Sequence, residues 1–229
     1  MAAEPAMFDE DSKDVGPRAP LIPGNVAGWL GLHERYGSLD LERLLRPAIG
    51  YAESGFPATQ ITSFAMSEVV PRLLRFPDSA ALVLGAAEKA PSPGSRIVAS
   101  ALAASLKSIA AGGVDEFYRG GLARRIVQGV RDAGGLFTEE DMAGYRAEWG
   151  EPVGVDYRGY RVITTPPGSA GFQILQALKL METFGEEELA YMRPDSVHLL
   201  VEAIKLAVVD RIAYGGDPDH VPVPLDALL

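Results

Sequence analysis

Apolar residues recur three and four positions apart along most of the chain, the spacing that gathers side chains on one face of an α-helix. This pattern predicts a mostly helical protein with breaks at glycine and proline. The predicted helices cover residues 26–36, about 41–49, about 60–75, 96–111, 121–133, 139–145, about 172–181 and 195–214. The last helix carries Val197, Val201, Ile204, Val208 and Ile212 on one face.

Several helix boundaries follow from glycines and from side chains that accept backbone hydrogen bonds. Gly37 is expected to end the first helix, and Ser38 to cap the second. The glycine pairs at 112–113 and 134–135 are expected to close the helices before them. Thr138–Asp141 has the spacing of a capping box, which predicts a short helix starting there.

A strand-like alternation replaces the helical period between Val153 and Thr165. Aromatic and β-branched residues flank Arg158–Gly159, so a β-hairpin is predicted near 153–165. Phe76–Pro77–Asp78 is expected to end the helix before it, and a variable, loop-rich stretch is expected to follow to Gly94. One hairpin gives too few strands to close a sheet, so we expect it to join strands supplied by another chain.

Composition restricts the possible partners and chemistries. The chain has 229 residues, 31 acidic and 21 basic, for a formal net charge of -10. This charge works against the phosphate attraction that nucleic-acid binders use, so nucleic acid is not an expected partner. Because the sequence contains no cysteine, it has no disulfide framework, thiol nucleophile or thiolate metal site.

The N-terminal region differs from the rest of the chain. Residues 1–21 are acidic and contain proline, which predicts an extended or disordered segment before one domain over 22–229. The first residues have neither the basic nor the apolar region of a secretory signal peptide. No apolar run approaches the roughly 18 residues of a membrane span, so no span is expected. These observations leave the localisation open.

Potential metal ligands are sparse. His33, His198 and His220 are far apart in sequence and fall in different predicted elements. Asp217–Pro218–Asp219–His220 is the densest group of candidate ligands, but it lacks the alternating oxygen ligands of an EF-hand loop. An Asx-type turn after a helix is the favoured interpretation, and a metal hydrolase at this place is a minor alternative.

A segment rich in small residues lies between the predicted hairpin and the next helix. Pro167–Gly168–Ser169–Ala170–Gly171 occupies the position of a hydrolase nucleophile, yet the G-x-S-x-G motif requires glycine where residue 167 is proline. The backbone donors of 168–171 are suited to lining a pocket or holding an anion at the helix start. Simple helix entry explains the small residues equally well, so both interpretations stay open.

A series of short segments gives a more specific indication than any of these groups. The segments are Ile22–Gly28, His33–Gly37, Arg46–Ile49, Gly55–Pro57, Phe117–Gly120, Gly134–Asp141, Tyr157–Val162, Glu202–Ala207, Asp210–Arg211 and Gly216–Asp219. In sequence and in order they resemble the large subunit of γ-glutamyltransferases, over about residues 20–229.

The resemblance implies a fold, an activity and a partner. The expected class is α+β, as the mostly helical part of an αββα N-terminal-nucleophile hydrolase fold. Family precursors cleave themselves into large and small subunits, and the freed N-terminal threonine of the small subunit attacks a γ-glutamyl amide such as that of glutathione. A heterodimer with that small subunit is expected, and no metal or organic cofactor is implied.

Two features qualify the expected activity. The family's substrate-binding arginine and catalytic threonine match no position here, so no catalytic or substrate-binding residue is assigned and the chain is expected to be inactive alone. Thr165–Phe172 also departs from the usual proline, serine and glycine run, and is similar to the family's acylase-like branch. The alternatives are an acylase of that branch and a non-catalytic structural or interaction remnant. Family members are often periplasmic or extracellular.

Overall fold

Ten α-helices, two short 3₁₀-helices and four short β-strands form the regular structure of the described residues, which are 5–8, 12 and 14–229 of a computed structural model. The chain packs as two units, Met1–Ala147 and Glu148–Leu229. Helices dominate and the strands form two small antiparallel sheets, so the predicted α+β class is confirmed. No helix of the described residues is long and apolar enough to cross a bilayer.

The extended or disordered segment predicted over 1–21 falls partly outside the described residues, at 1–4, 9–11 and 13. In its described part the Arg18 guanidinium donates to the carbonyl oxygen of Met7, at 2.7 Å, and to that of Gly134, at 3.4 Å. The single domain expected over 22–229 stays a prediction.

Unit 1 is built mainly from helices. They are α1 (Asn25–Tyr36), α2 (Leu41–Ser54), α3 (Gln60–Leu73), α4 (Pro77–Val83), α5 (Ser100–Tyr118), α6 (Gly121–Asp132) and α7 (Glu139–Gly144). Strand β1 (Phe56–Pro57) pairs antiparallel with β2 (Arg96–Ile97). Most helices predicted for this part are therefore confirmed within a few residues.

Two local predictions in unit 1 are wrong. Asp40, not Ser38, is the N-cap of α2, because the helix starts only at Leu41. The stretch expected to be loop-rich contains α4, which begins with a proline in the position that helices favour. The predicted break at the 112–113 glycine pair is present, because Gly113 has a φ of 60° and a ψ of -147°, which interrupt the helical backbone, and a second helical segment of α5 continues to Tyr118.

The core of unit 1 forms where the end of α5 meets the start of α1. The buried Tyr118 hydroxyl donates to the carbonyl oxygen of Pro23, at 2.5 Å, and accepts from the Ala27 amide, at 3.1 Å. Its ring stacks on Tyr145, and burial raises the pKa of the hydroxyl above its ordinary value. A Cβ on Gly24 would lie 2.1 Å from the Tyr145 hydroxyl oxygen, so the contact requires glycine.

Carboxylates satisfy the free amides at the starts of α6 and α7. Glu116 accepts hydrogen bonds from the amides of Gly121, at 3.1 Å, and Leu122, at 2.9 Å. The predicted capping box is confirmed, since Thr138 Oγ1 accepts from the Asp141 amide and Asp141 Oδ2 accepts from the Thr138 amide. The Thr138 hydroxyl also donates to Asp141 Oδ2, which holds the pKa of that carboxyl below its ordinary value.

Unit 2 consists of a hairpin and three helices. They are β3 (Val153–Tyr157), β4 (Tyr160–Thr164), α8 (Phe172–Glu182), α9 (Pro194–Tyr214) and α10 (Leu225–Leu228). The hairpin register pairs Val155 with Val162 and Tyr157 with Tyr160. The predicted hairpin and the predicted helices of this region are confirmed, whereas α10 had no sequence signal.

The hairpin turn is fixed from two directions. Arg158 (φ 47°) and Gly159 (φ 84°) both lie in the left-handed region, as a two-residue type I′ turn requires. The Arg158 amide donates to Glu182 Oε1 at the end of α8, at 3.1 Å. Lys179 donates to Glu182 Oε2, and this bond, followed by that from Arg158, holds the pKa of Glu182 below its ordinary value.

Helix α9 has two different apolar faces. Its buried residues are the small Ser196, Ala203 and Ala207, and the helix packs against α8. The aliphatic face predicted from the sequence exists, but four of its members are exposed: Val197 by 41%, Val201 by 47%, Ile204 by 41% and Ile212 by 71%. Unit 2 therefore presents a row of large aliphatic side chains on its surface.

Candidate functional site

A cavity of about 180 Å³ in unit 2 brings together two segments that are separate in the sequence. One is the connection between β4 and α8, and the other is the end of α9 with the glycines after it. The lining residues are Gly168, Ser169, Ala170, Phe172, Arg211, Gly215 and Gly216. The small-residue segment predicted as a possible pocket wall thus does line a pocket.

Local geometry explains the small residues on the β4–α8 side. Gly168 has a φ of 99°, which residues with a side chain rarely adopt. A Cβ on Gly171 would lie 2.0 Å from Thr164 Oγ1, so the helix can start this close to the strand only with glycine. The Ser169 hydroxyl is held by Thr165 Oγ1, at 2.5 Å.

Arg211 forms the opposite wall of the cavity, in the last turn of α9. The helix ends beside it, where the Gly215 amide donates to the Arg211 carbonyl oxygen at 2.8 Å. The arginine is partly buried, and its guanidinium forms no hydrogen bond or ion pair with any described residue. It is the one charged side chain among the described residues that line the cavity.

A partly buried polar pair lies between α8 and α9. One of its members, Asp210, is the neighbour of Arg211 in the sequence. Gln176 Nε2 donates to Asp210 Oδ2, at 2.5 Å. Gln176 is buried, and its Oε1 has no partner among the described residues. A buried amide fixed at one end positions the Asp210–Arg211 turn of α9 relative to α8.

The arrangement suits binding better than nucleophilic catalysis. The Ser169 hydroxyl also approaches the carbonyl oxygen of Pro166, at 3.3 Å, and no histidine lines the cavity within the described part of the chain. His33 lies in unit 1, where Nε2 is 2.7 Å from the Leu39 carbonyl oxygen. His198 and His220 are exposed residues of unit 2. The positions of the described residues therefore do not support a Ser-His-Asp catalytic triad.

The acidic segment after α9 forms the expected turn. Asp217 Oδ1 accepts from the Asp219 amide, at 3.0 Å, which is an Asx turn and confirms that interpretation. The His220 amide donates to the Asp217 carbonyl oxygen, at 2.9 Å. In the described ranges no three histidine, aspartate or glutamate side chains come together as metal ligands.

A second cavity, of about 380 Å³, lies between α2 and α5 in unit 1 and is lined in part by Glu42, Arg46 and Lys107. Lys107 is already paired with Glu53, and Arg46 is exposed to solvent. Neither cation is therefore a partly buried charge without a partner. The unit 2 cavity is therefore the better candidate site. Arg211 has no local sequence signal for this role, since only the packing of α9 on α8 places it opposite 168–171.

Comparisons with known proteins agree with the resemblance seen in the sequence. The sequence model of the γ-glutamyltranspeptidase family matches residues 1–229. The acylase ACY 1 proenzyme of Pseudomonas sp. (strain SE83) is 41% identical over 94% of this chain and 38% of its own length. The glutathione hydrolase proenzyme of Escherichia coli (strain K12) is 35% identical over 90% of this chain and 36% of its own length.

A crystal structure of Helicobacter pylori γ-glutamyltranspeptidase is similar to the chain, with a TM-score of 0.93 and 32% identity. The match covers 99% of this chain and 67% of that chain, and it confirms the fold that the resemblance implied. The chain spans less than two fifths of the length of the two curated relatives.

Proposed function

The chain belongs to the γ-glutamyltranspeptidase family, and from that premise we propose that it supplies the framework of a threonine amidohydrolase. The proposed reaction is hydrolysis or transfer of a γ-glutamyl group, with glutathione as the model substrate. The relative from Escherichia coli, named a glutathione hydrolase, supports this choice. The match along the whole chain is the observation that carries the proposal.

We assign no catalytic residue to this chain. Acyl transfer requires a nucleophile within hydrogen-bond reach of a base, and the cavity serine has instead a threonine hydroxyl and a backbone carbonyl as partners. From membership of the family, the reacting group is proposed to be the N-terminal threonine of a small subunit. That threonine needs no separate base, because its own α-amino group can accept the proton.

The surface of unit 2 supports a partner of this kind. Val201 and Ile212 on α9 are 47% and 71% exposed, and Ile163 on β4 is 63% exposed. In the described part of the chain, β3 and β4 pair only with each other, so each leaves one edge free. An isolated two-stranded hairpin is marginally stable, and added strands would pair its edges and cover the aliphatic face.

The test is an assay with and without the proposed partner. The purified chain alone is expected to release no product from a γ-glutamyl anilide, whereas a stoichiometric mixture with a threonine-initiated small subunit from a related proenzyme gains activity. A small subunit with the threonine replaced by alanine is the control. Turnover by the chain alone would contradict the division of roles, and failure to form any complex would favour the non-catalytic remnant.

An acylase is the second candidate, because the Pseudomonas acylase proenzyme is 41% identical to this chain. The same reconstituted complex distinguishes the two activities. A γ-glutamyl anilide and an anilide of the same length that lacks the α-amino group are compared by kcat/KM. Preference for the first supports a γ-glutamyl enzyme, and preference for the second supports the acylase.

A further inference from the structure

The unit 2 cavity contains a positive charge without a counter-ion. Arg211 is partly buried, and its guanidinium has five N–H donors, none of which bonds to a described residue. The two nearest carboxylates in the sequence are engaged elsewhere, Asp210 by Gln176 and Asp217 by the Asp219 amide. Partial burial of an unpaired cation is unfavourable, so the site favours a ligand of opposite charge.

Residues whose backbone amides bond to no described residue lie on both sides of the same cavity. Within the described residues, the amides of Ala170, Phe172 and Gly216 donate to no backbone or side-chain acceptor. All three residues line the cavity with Arg211. A guanidinium opposite free amides is the donor set that binds carboxylates and other oxyanions.

The volume of the cavity and the charge of the chain restrict the class of ligand further. A volume of about 180 Å³ is below the roughly 300–1,000 Å³ typical of pockets for drug-sized ligands, which favours a ligand smaller than a nucleotide. The chain as a whole carries a net charge of -10, so general attraction does not bring anions here. Selective binding must come from the local field of Arg211 and the start of α8.

We propose that this cavity binds a small oxyanion, either an inorganic ion or the carboxylate of an amino acid, with Arg211 as the counter-charge. The inference is independent of the proposed amidohydrolase role, because binding is measured without turnover. The ligand would join the β4–α8 connection to the end of α9.

The test is a binding titration of the full chain labelled with ¹⁵N-glycine. Sodium sulfate and sodium L-glutamate are added separately at constant ionic strength, and the amide signals of Gly168, Gly171 and Gly216 are followed. Saturable shifts are expected with at least one of them. R211Q is expected to weaken that binding by about tenfold or more, as the loss of a charge-assisted pair implies.

R193Q is the matched control, since it removes the same charge from the exposed Arg193 at the other end of α9 and is expected to leave the affinity unchanged. Saturation by sulfate alone identifies an inorganic ion, and saturation by glutamate alone identifies a carboxylate. Shifts that never saturate, or equal affinities for wild type and R211Q, overturn the proposal. If R211Q does not fold, R211M decides, because it keeps an unbranched aliphatic stem at this partly buried position and removes the charge. Unchanged affinity in R211M then overturns the proposal.

Discussion

The Tyr118 hydroxyl donates to the carbonyl oxygen of Pro23 at 2.5 Å, across 95 positions of sequence. The Tyr118 hydroxyl oxygen also accepts from the Ala27 amide, so one side chain joins the end of α5 to the first turn of α1. Both segments belong to the series that carried the family resemblance. In this chain both segments therefore have a structural role in packing, and the contact assigns no chemistry to these residues.

Replacing Tyr118 by phenylalanine is expected to destabilise unit 1 by about 1–3 kcal/mol, because the Ala27 amide and the Pro23 carbonyl lose their buried partner. Urea unfolding followed by circular dichroism measures the change. Y160F is the control, since Tyr160 is 75% exposed. Equal stability of Y118F and Y160F would contradict the structural role given to the hydroxyl.

Close approach at Gly171 predicts a steric effect in unit 2. G171A is expected to lower stability by about 1–3 kcal/mol, because the new Cβ would overlap Thr164. Adding T164A should recover part of the loss, since it removes the nearest atom. G50A is the matched control in a helix position with open space around it, and by helix propensity it is expected to be neutral or stabilising.

Periodicity and short motifs were enough to locate most of the fold. The capping box at Thr138 and the turn at Arg158–Gly159 were predictable because local hydrogen bonds and backbone conformation determine both. The extension of α5 past Gly113 was not, because it depends on the burial of Tyr118 against α1, a contact distant in sequence.

Only one wall of the candidate cavity was predictable from the sequence. The small residues of 168–171 suggested a pocket wall, but nothing near Arg211 in the sequence marks it as the opposite wall. The aliphatic side of α9 was found by its spacing, yet spacing alone does not tell which neighbour covers it. Ala203 and Ala207 are the buried apolar residues of α9, the helix that packs on α8.

The capping box predicts a dependence on pH. Thr138 holds the pKa of Asp141 below its ordinary value, so the ionised form stabilises the folded state. This contribution is complete above the unfolded pKa of about 3.9 and is lost as the pH falls through the folded pKa. The stability difference between wild type and D141N is therefore expected to be largest near neutral pH and to shrink in acid.

Unfolding in urea over a series of pH values measures that difference. E140Q is the control, because it removes a charge from the same helical turn and Glu140 accepts no hydrogen bond from a described residue. A difference for D141N that does not vary with pH, or that E140Q reproduces, would show that the carboxylate acts only through the general field of the helix end.

The two faces of α9 predict opposite results from changes on one helix. V201S alters an exposed position and should change the stability of the isolated chain by less than about 0.5 kcal/mol. A207L places a large side chain where the residue is fully buried, and it should lower the free energy of unfolding by about 1–3 kcal/mol through overpacking.

The same variants test whether the aliphatic face of α9 is the docking surface for a small subunit. If it is, V201S weakens association with the small subunit although the chain stays folded. Association measured by analytical ultracentrifugation, beside urea unfolding of each variant, separates the two effects. If the V201S/I212S double variant associates with the small subunit as tightly as the wild type does, this face of α9 is not part of the interface.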